Sequence, residues 1–519
     1  MNKLPSEILL LIVDYCDFLS KIRLTGINKW FYNNVQIHDL LNITDYFMEN
    51  LNDEILNQLK FRNLMKLKTT KRITLEGISK LNLMELFICE NSAINNLSFM
   101  KKLKYLRVDR FSIIDQNNIQ NLDLNELSVN DNGKINDVSF MKNLKCLSIG
   151  KNSGINQTGI QGLDLIKLCI IDNNKINNVS FMKNLKYLYI RGKSGIDQEG
   201  IQNLNLIELN VNNNCKIKDI SFMKHLKMLH ANGNCSIDQN SLQGLDLMVL
   251  DVSNNGKISN VSFMKNLKRL NASGPGCKID QNGIQGLNLV KLKISYNKQI
   301  INVSFMKNLK YLYAHGSCID QHGIQGLDLI ELNVSENEKI TDVSFMKNLK
   351  CLNANHDCGI DQNGIRDLDL TELYVYQNSK IINVSFMKNL KILDARGCYC
   401  GINQKGIEDL NLIDLFVTDN EKINNVAFMK NLKVLFAGQE CGINQEGIQG
   451  LDLIELFVYN NNKINNVSFM KNLKCLDASG NSGIDQNGIR GLDLIELNIC
   501  DNEKIMDVSF MKNLNCLSS

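Results

Sequence analysis

Apolar and polar residues alternate along this chain in short bursts that return at a fixed distance. Leu185, Leu188 and Ile190 stand at Leu-x-x-Leu-x-Leu spacing, and Leu206, Leu209 and Val211 repeat it 21 residues later, ending in Asn214. Leu188 and Ile190 alternate with Tyr187, Tyr189 and Arg191. A period of two predicts a short strand with one face turned inward. A second marker, Val-Ser-Phe-Met-Lys-Asn-Leu-Lys, recurs with almost no change. Its phenylalanine falls at Phe99, Phe140, Phe181, Phe222, Phe263, Phe305, Phe345, Phe386, Phe428, Phe469 and Phe510, 40 to 42 residues apart. A period in that range predicts a solenoid, in which each repeat buries its apolar face only by stacking on the next. The period holds two shorter repeats, A after Ser-Phe-Met and B after Gly-Ile-Gln.

Each repeat reads as a strand plus a short return. In the A return, Ser180 is expected to cap one helical turn and Phe181 to point inward, building a phenylalanine spine. In the B return, Asp280 to Leu287, glycine and isoleucine suit a tight turn with one buried contact. The B strands all end in asparagine, from Asn91 and Asn132 to Asn461 and Asn502. An inward asparagine can satisfy backbone groups that a turn leaves unpaired. The A repeats instead carry cysteine, at Cys235, Cys277, Cys318, Cys358, Cys400 and Cys441. Column neighbours two strand spacings apart, roughly 10 Å, are too far for a disulfide, so reduced thiols are expected.

The returns are nearly constant, whereas the outward residue between the two inward strand positions varies. Phe416, Phe436 and Phe457 occupy it on three consecutive strands, with Val434, Tyr459, Tyr374 and Tyr376 beside them. An exposed apolar patch of this kind marks a partner site. A weaker cluster is Tyr187, Tyr189 and Arg191, with Tyr311, Tyr313 and His315 further along. The candidate target-binding residues are therefore Tyr374, Tyr376, Phe416, Val434, Phe436, Phe457, Tyr459, Tyr189 and Tyr313.

The repeat pattern resembles the leucine-rich-repeat family. That resemblance implies an α/β solenoid, a horseshoe with a parallel sheet on its concave face. Twelve A strands and eleven B strands are expected between Leu64 and Leu514. The first forty residues do not fit the repeat. Leu4-Pro5-Ser6-Glu7 opens a helix, Ile8 to Val13 is apolar all round, and Leu19, Ile22, Leu24, Ile27, Trp30 and Phe31 follow at helical spacing. With Leu4-Pro5-x-Glu7-Ile8-Leu9, Ile12 and Asn28-Lys29-Trp30, this segment resembles the F-box. The expected organisation is an F-box-like helical domain at 1–45, a linker or cap helix at 46–60, and the repeat solenoid at 61–519.

The F-box resemblance implies docking on a Skp-type adaptor of a cullin–RING ubiquitin ligase through Leu4, Pro5, Ile8, Leu9, Ile12 and Trp30. The repeats would then hold an unknown target protein. The alternative is a non-catalytic interaction scaffold, its N-terminal segment a degenerate F-box or a simple cap, which solenoids need at an open end. The near-identical repeats rich in Asn, Ile and Lys also resemble proteins of giant DNA viruses of amoebae.

Composition narrows the classes further. Net charge is only +3, with acids such as Asp164, Asp246 and Asp328 interleaved with lysines such as Lys183, Lys224, Lys265 and Lys307. That balance does not make a nucleic-acid stripe. No apolar run approaches the ~18 residues of a membrane span, and no signal-peptide pattern opens the chain. An intracellular protein with neither membrane nor nucleic-acid partner is expected. The six histidines, His38, His225, His230, His315, His322 and His356, form no pattern with an acid and a nucleophile. No enzyme activity, metal or cofactor is expected. At the far end, a frayed last strand or self-association through an open edge is expected.

Overall fold

The computed structural model describes residues 21–22, 24, 29–41, 51–514 and 516–518. The chain divides into two compact units, residues 1–245 and 246–519. Among the described residues of the first, ten short strands run from Asp39–Leu40 and Lys66–Lys68 to Glu208–Asn210 and Met228–His230. In the second, fourteen run from Val249–Asp251 to Glu496–Asn498 and Cys516–Ser518. Within each unit successive strands pair in parallel with leucine opposite leucine, as in Leu188↔Leu209 and Leu415↔Leu435. Those leucines are fully buried, each contributing about 2 kcal/mol.

The expected A and B strands all form, and one more precedes them. Asp39–Leu40 pairs with Lys66–Lys68, so the sheet begins ahead of residue 61. Val35, Ile37 and Leu40 are buried there, and the His38 carbonyl accepts from Met65 N and Lys66 N at 2.9 and 3.1 Å. Between these strands lies a one-turn helix, Asp53–Leu56, capped by Asn52, whose Oδ1 accepts from Ile55 N at 2.9 Å.

The A return corrects two expectations. No phenylalanine spine forms. Met182 N bonds Val179 O at 3.0 Å and Leu185 N bonds Met182 O at 3.1 Å. Two successive three-residue turns carry Val179, Met182 and Leu185 inward, all fully buried, and leave Phe181 out of phase. Its equivalents Phe222, Phe263 and Phe386 are 37 to 40% exposed. The cap is also one position pair earlier than expected. Asn178 Oδ1 accepts from Ser180 N and Ser180 Oγ at 2.9 and 2.8 Å, so Ser180 is a donor.

The B return is the expected tight turn. Asn282–Ile284 forms a 3₁₀ turn in which Asp280 Oδ1 accepts from Gly283 N at 2.8 Å. Ile284 is buried. A Cβ on Gly283 would lie 2.1 Å from Ser259 O, so glycine is what lets the two backbones meet this closely here. Gln281 adds a link that the sequence did not suggest. Its Oε1 accepts from Ile301 N and Asn302 N at 3.0 and 2.8 Å, and its Nε2 donates to Asn302 O at 2.8 Å. Gln157 and Gln404, three periods before and after, do the same.

The asparagine column is buried as expected, though Asn214 Nδ2 meets no acceptor. All eleven side chains are at most 5% exposed. Asn420 donates to Ala395 O and Ile402 O at 2.8 and 3.2 Å and accepts from Lys422 N at 3.0 Å. In the A repeats the corresponding buried position, two residues before an isoleucine, is serine or cysteine: Ser112, Ser153, Ser194, Cys235, Cys277, Cys358, Cys400, Cys441 and Ser482. Cys318 is not in this column. The Phe305–Phe345 period is one residue short, so Ser317 takes the buried place before Ile319, and Cys318 is only half-buried. Burial pushes the thiols of Cys358 and Cys400 up to about 11 and that of Cys441 to about 12.

Candidate functional site

On each strand the buried leucine has outward neighbours at both sides, and these build the sheet face. In the second unit, strands Asp414–Phe416, Val434–Phe436 and Glu455–Phe457 pair in register, placing Phe416, Phe436 and Phe457 in one row. The rings stack. Phe416 and Phe436 have centroids 4.8 Å apart at 28°, and Phe436 and Phe457 3.9 Å apart at 10°. Each remains half-buried, so one flank of the stack stays open to a partner. Tyr459 lies across Gly438, where a Cβ would meet its ring at 2.8 Å.

The row is framed by charge. On the preceding strand Asp394 is only 3% exposed and takes the Arg396 guanidinium at two points, Nε to Oδ1 at 2.9 Å and Nη2 to Oδ2 at 2.7 Å. That bond holds Arg396 above its ordinary pKa. The same guanidinium lies 5.5 Å from the Tyr376 ring centre and 5.7 Å from that of Phe416, within cation–π reach. Tyr376 also meets His356 edge-on at 4.9 Å. Tyr374 donates its hydroxyl to Glu372 Oε2 at 3.0 Å, and burial first, then that glutamate, raises its pKa. Along the other outward row stand Asp414, Val434 and Glu455. Burial raises the pKa of Asp414, and burial, then Glu496 and Asp414, raises that of Glu455.

Two further clusters occupy sheet faces. In the second unit, Lys291 lies 5.4 Å from the Tyr311 ring centre and 4.8 Å from that of Tyr313, with Lys293 5.3 Å from Tyr313. His315 contacts the Tyr296 hydroxyl and sits 3.4 Å from Glu336. In the first unit a groove of about 640 Å³ is lined by Phe87, Arg107, Lys167, Tyr189 and Arg191 among others. Lys167 lies 5.4 Å from the Tyr189 ring centre, and burial, then Glu208, pushes the Tyr189 hydroxyl up to about 12.

The structure thus brings together Tyr374, Tyr376, Phe416, Val434, Phe436, Phe457 and Tyr459 on one sheet face. Tyr313 belongs to the lysine cluster, and Tyr189 to the groove of the first unit. Of the expected adaptor-binding residues, Leu4, Pro5, Ile8, Leu9 and Ile12 lie outside the described residues. Trp30 stands in the short helix Lys29–Asn34 and meets Phe31 edge-on at 5.1 Å. Sequence reading missed Arg396 and the carboxylates around the row. Their signal was present, since the same outward positions carry them. Among the described residues no helix is long and apolar enough to cross a membrane, and no three His, Cys, Asp or Glu side chains gather as metal ligands would.

No family model matches this chain, and no curated protein matches it. Among solved structures it is similar to a TLR13–ssRNA13 complex, at a TM-score of 0.52 and 17% identity over 93% of this chain and 86% of that one. It is similar at a TM-score of 0.32 to an internalin (inlF) of Listeria monocytogenes, 19% identical over 62% of this chain and 89% of that one. The same score relates it to the plant peptide hormone receptor RGFR1 in complex with RGF2, 15% identical over 86% and 87%. Only the first likeness is strong enough to bear on the fold. It agrees with the strand pairing, by which each unit is a parallel β-solenoid.

Proposed function

We propose that this chain is a recognition protein that holds a target protein on the sheet face of its second unit, at the row of Phe416, Phe436 and Phe457. The observation that carries this reading is the row itself, three stacked rings half-buried at a position where other strands place Asp251, Asn333 or Asn498. The interior does not require phenylalanine there, because Leu415, Leu435 and Leu456 before it and Val417, Ala437 and Val458 after it are already buried. The frame of Glu372, Asp414, Glu455 and Glu496 favours a protein partner over a phosphate backbone, which it would repel. The role requires no catalytic group of the chain's own.

The finer reading is a substrate-recognition subunit of an SCF-type cullin–RING ubiquitin ligase. Its support is the F-box resemblance of residues 4–30, with the Skp-type adaptor docking there. Two captures with the full chain test both levels. Adaptor binding by the wild type, lost on Ile8→Asp with Leu9→Asp, supports the ligase reading. A wild type that does not bind the adaptor removes it and leaves the scaffold. Target capture should fall when Phe416, Phe436 and Phe457 are all changed to alanine. Recovery of the same proteins by that variant would remove the aromatic row as the target site.

A further inference from the structure

The two ends of the phenylalanine row are built alike and furnished differently. Across the sheet the outward residues run Asp394, Phe416, Phe436, Phe457, Asp477, so an aspartate closes each end. The local sequences correspond. Glu372-Leu-Tyr374-Val-Tyr376 is followed one strand later by Leu393-Asp394-Ala-Arg396, and Glu455-Leu-Phe457-Val-Tyr459 by Leu476-Asp477-Ala-Ser479. The second set lies 83 residues after the first, two repeat periods on. Both place a glutamate, an aromatic pair and an aspartate on adjacent paired strands. They differ at Tyr374 against Phe457, at Phe416 against Asn498 on the following strand, and decisively at Arg396 against Ser479.

At the first end the cradle is filled. Arg396 is clamped by Asp394 and lies against Tyr376 and Phe416. At the second end Asp477 accepts only from neutral groups: Ser479 N at 3.0 Å, Ser479 Oγ at 2.6 Å and Asn498 Nδ2 at 3.1 Å. Among the described residues no lysine or arginine pairs with Asp477, Glu455 or Glu496. Cys475, between the two glutamates, donates to Glu496 Oε2 at 3.7 Å. Burial and its carboxylate neighbours hold Glu455 above its ordinary pKa, as expected of an acid lacking a counter-charge. The fold therefore carries its own example of the ligand this arrangement takes, in one copy, and leaves the other copy without it.

We propose that the cradle of Glu455, Phe457, Asp477 and Glu496 receives an arginine side chain from an extended basic segment of the target protein. This deepens the target-binding reading and rests on it. The guanidinium would bond Asp477 at its edge, as Arg396 bonds Asp394, with Phe457 and Tyr459 beside it where the first cradle has Tyr374 and Tyr376. Lysine, a point charge with no planar fork, fits the same place less well.

The test uses the full chain and a labelled short peptide alternating arginine and glycine, read by fluorescence anisotropy at physiological ionic strength. Its neutral counterpart carries citrulline in place of arginine. The arginine peptide should bind, with the citrulline peptide about tenfold weaker or worse. Ser479→Arg installs in the second cradle the side chain that fills the first, so it should keep the fold and weaken the arginine peptide about tenfold. Asp477→Asn should weaken it similarly, and Asp164→Asn, at an exposed acid of the first unit, should not. Equal affinity of wild type and Ser479→Arg, equal affinity for citrulline, or no binding of the arginine peptide would each overturn the proposal. Failure here, with target capture still lost in the triple alanine variant, removes the arginine cradle and spares the target site. Ser479-sensitive peptide binding, with capture unchanged in that variant, does the reverse.

Discussion

The return segments and the sheet face of this chain obey opposite rules. In the returns and at the strand ends, Asn178, Gln281 and Asn420 recur in kind because each completes backbone hydrogen bonds. On the sheet face the outward position changes from strand to strand, since both strand ladder and interior are satisfied without it. Repetition therefore measures what the fold demands, and departure from repetition marks positions the fold leaves open. The phenylalanine row and its two aspartate ends are departures of that second kind.

The sharpest way to break the contrast is at the asparagine column. Asn420→Ala strands Ala395 O, Ile402 O and Lys422 N in the interior, and leaving several buried groups unmade costs about 3 kcal/mol or more. Because a repeat array need not unfold in one step, hydrogen exchange is the suitable measurement. Amides of the strands around Asp414–Phe416 should exchange much faster than those several repeats away. Uniform exchange along the second unit would mean that the column does not hold neighbouring repeats together.

Phe436→Ala should do far less to the fold. The ring loses two stacking partners, worth about 1 kcal/mol, while Leu435 beneath it stays buried. A stability loss as large as that of Asn420→Ala would place the row among the structural positions and erase the distinction between the two faces.

Much of this was legible in the sequence, and the misses share a cause. Period two located the strands, and an invariant polar residue beside an apolar one announced the buried asparagines. Phe181 was misplaced because constancy was taken for burial, when the turn phase that carries Val179 and Met182 inward leaves the ring at the surface. Gln281 was overlooked because a glutamine in a polar motif looks solvated, and only the stacking of the next repeat shows what its amide bridges. Cys318 went wrong through one missing residue, which a fixed count from the previous repeat does not detect. Arg396 was passed over because its meaning depends on Asp394 and Phe416, which lie beside it in space and on different strands.

The smallest expected effect lies in the carboxylates, and it separates the two faces by sign. Asp328, in a return, is held below its ordinary 3.8 by the Asn348 hydrogen bond and, after it, by Lys310. Asp414, on the sheet face, is raised above 3.8 by burial. A depressed folded value gives Asp328 a stabilising contribution that is present above the unfolded value and lost as pH falls through the folded one, below 3.8. A raised folded value reverses this for Asp414, whose contribution is present below 3.8 and lost as pH rises through its folded value. Glu455 follows Asp414, its contribution present below 4.5 and lost as pH rises through its raised folded value. Carboxyl-carbon NMR titration should therefore find Asp328 losing its proton at lower pH than Asp414. Bound arginine peptide should draw Glu455 back toward its ordinary value and leave Asp328 where it was, because only the sheet-face acid gains a counter-charge. Coincident titration of Asp328 and Asp414 would show that the sheet-face carboxylates are as well satisfied as those of the returns, and would take away the electrostatic reason for a cationic partner.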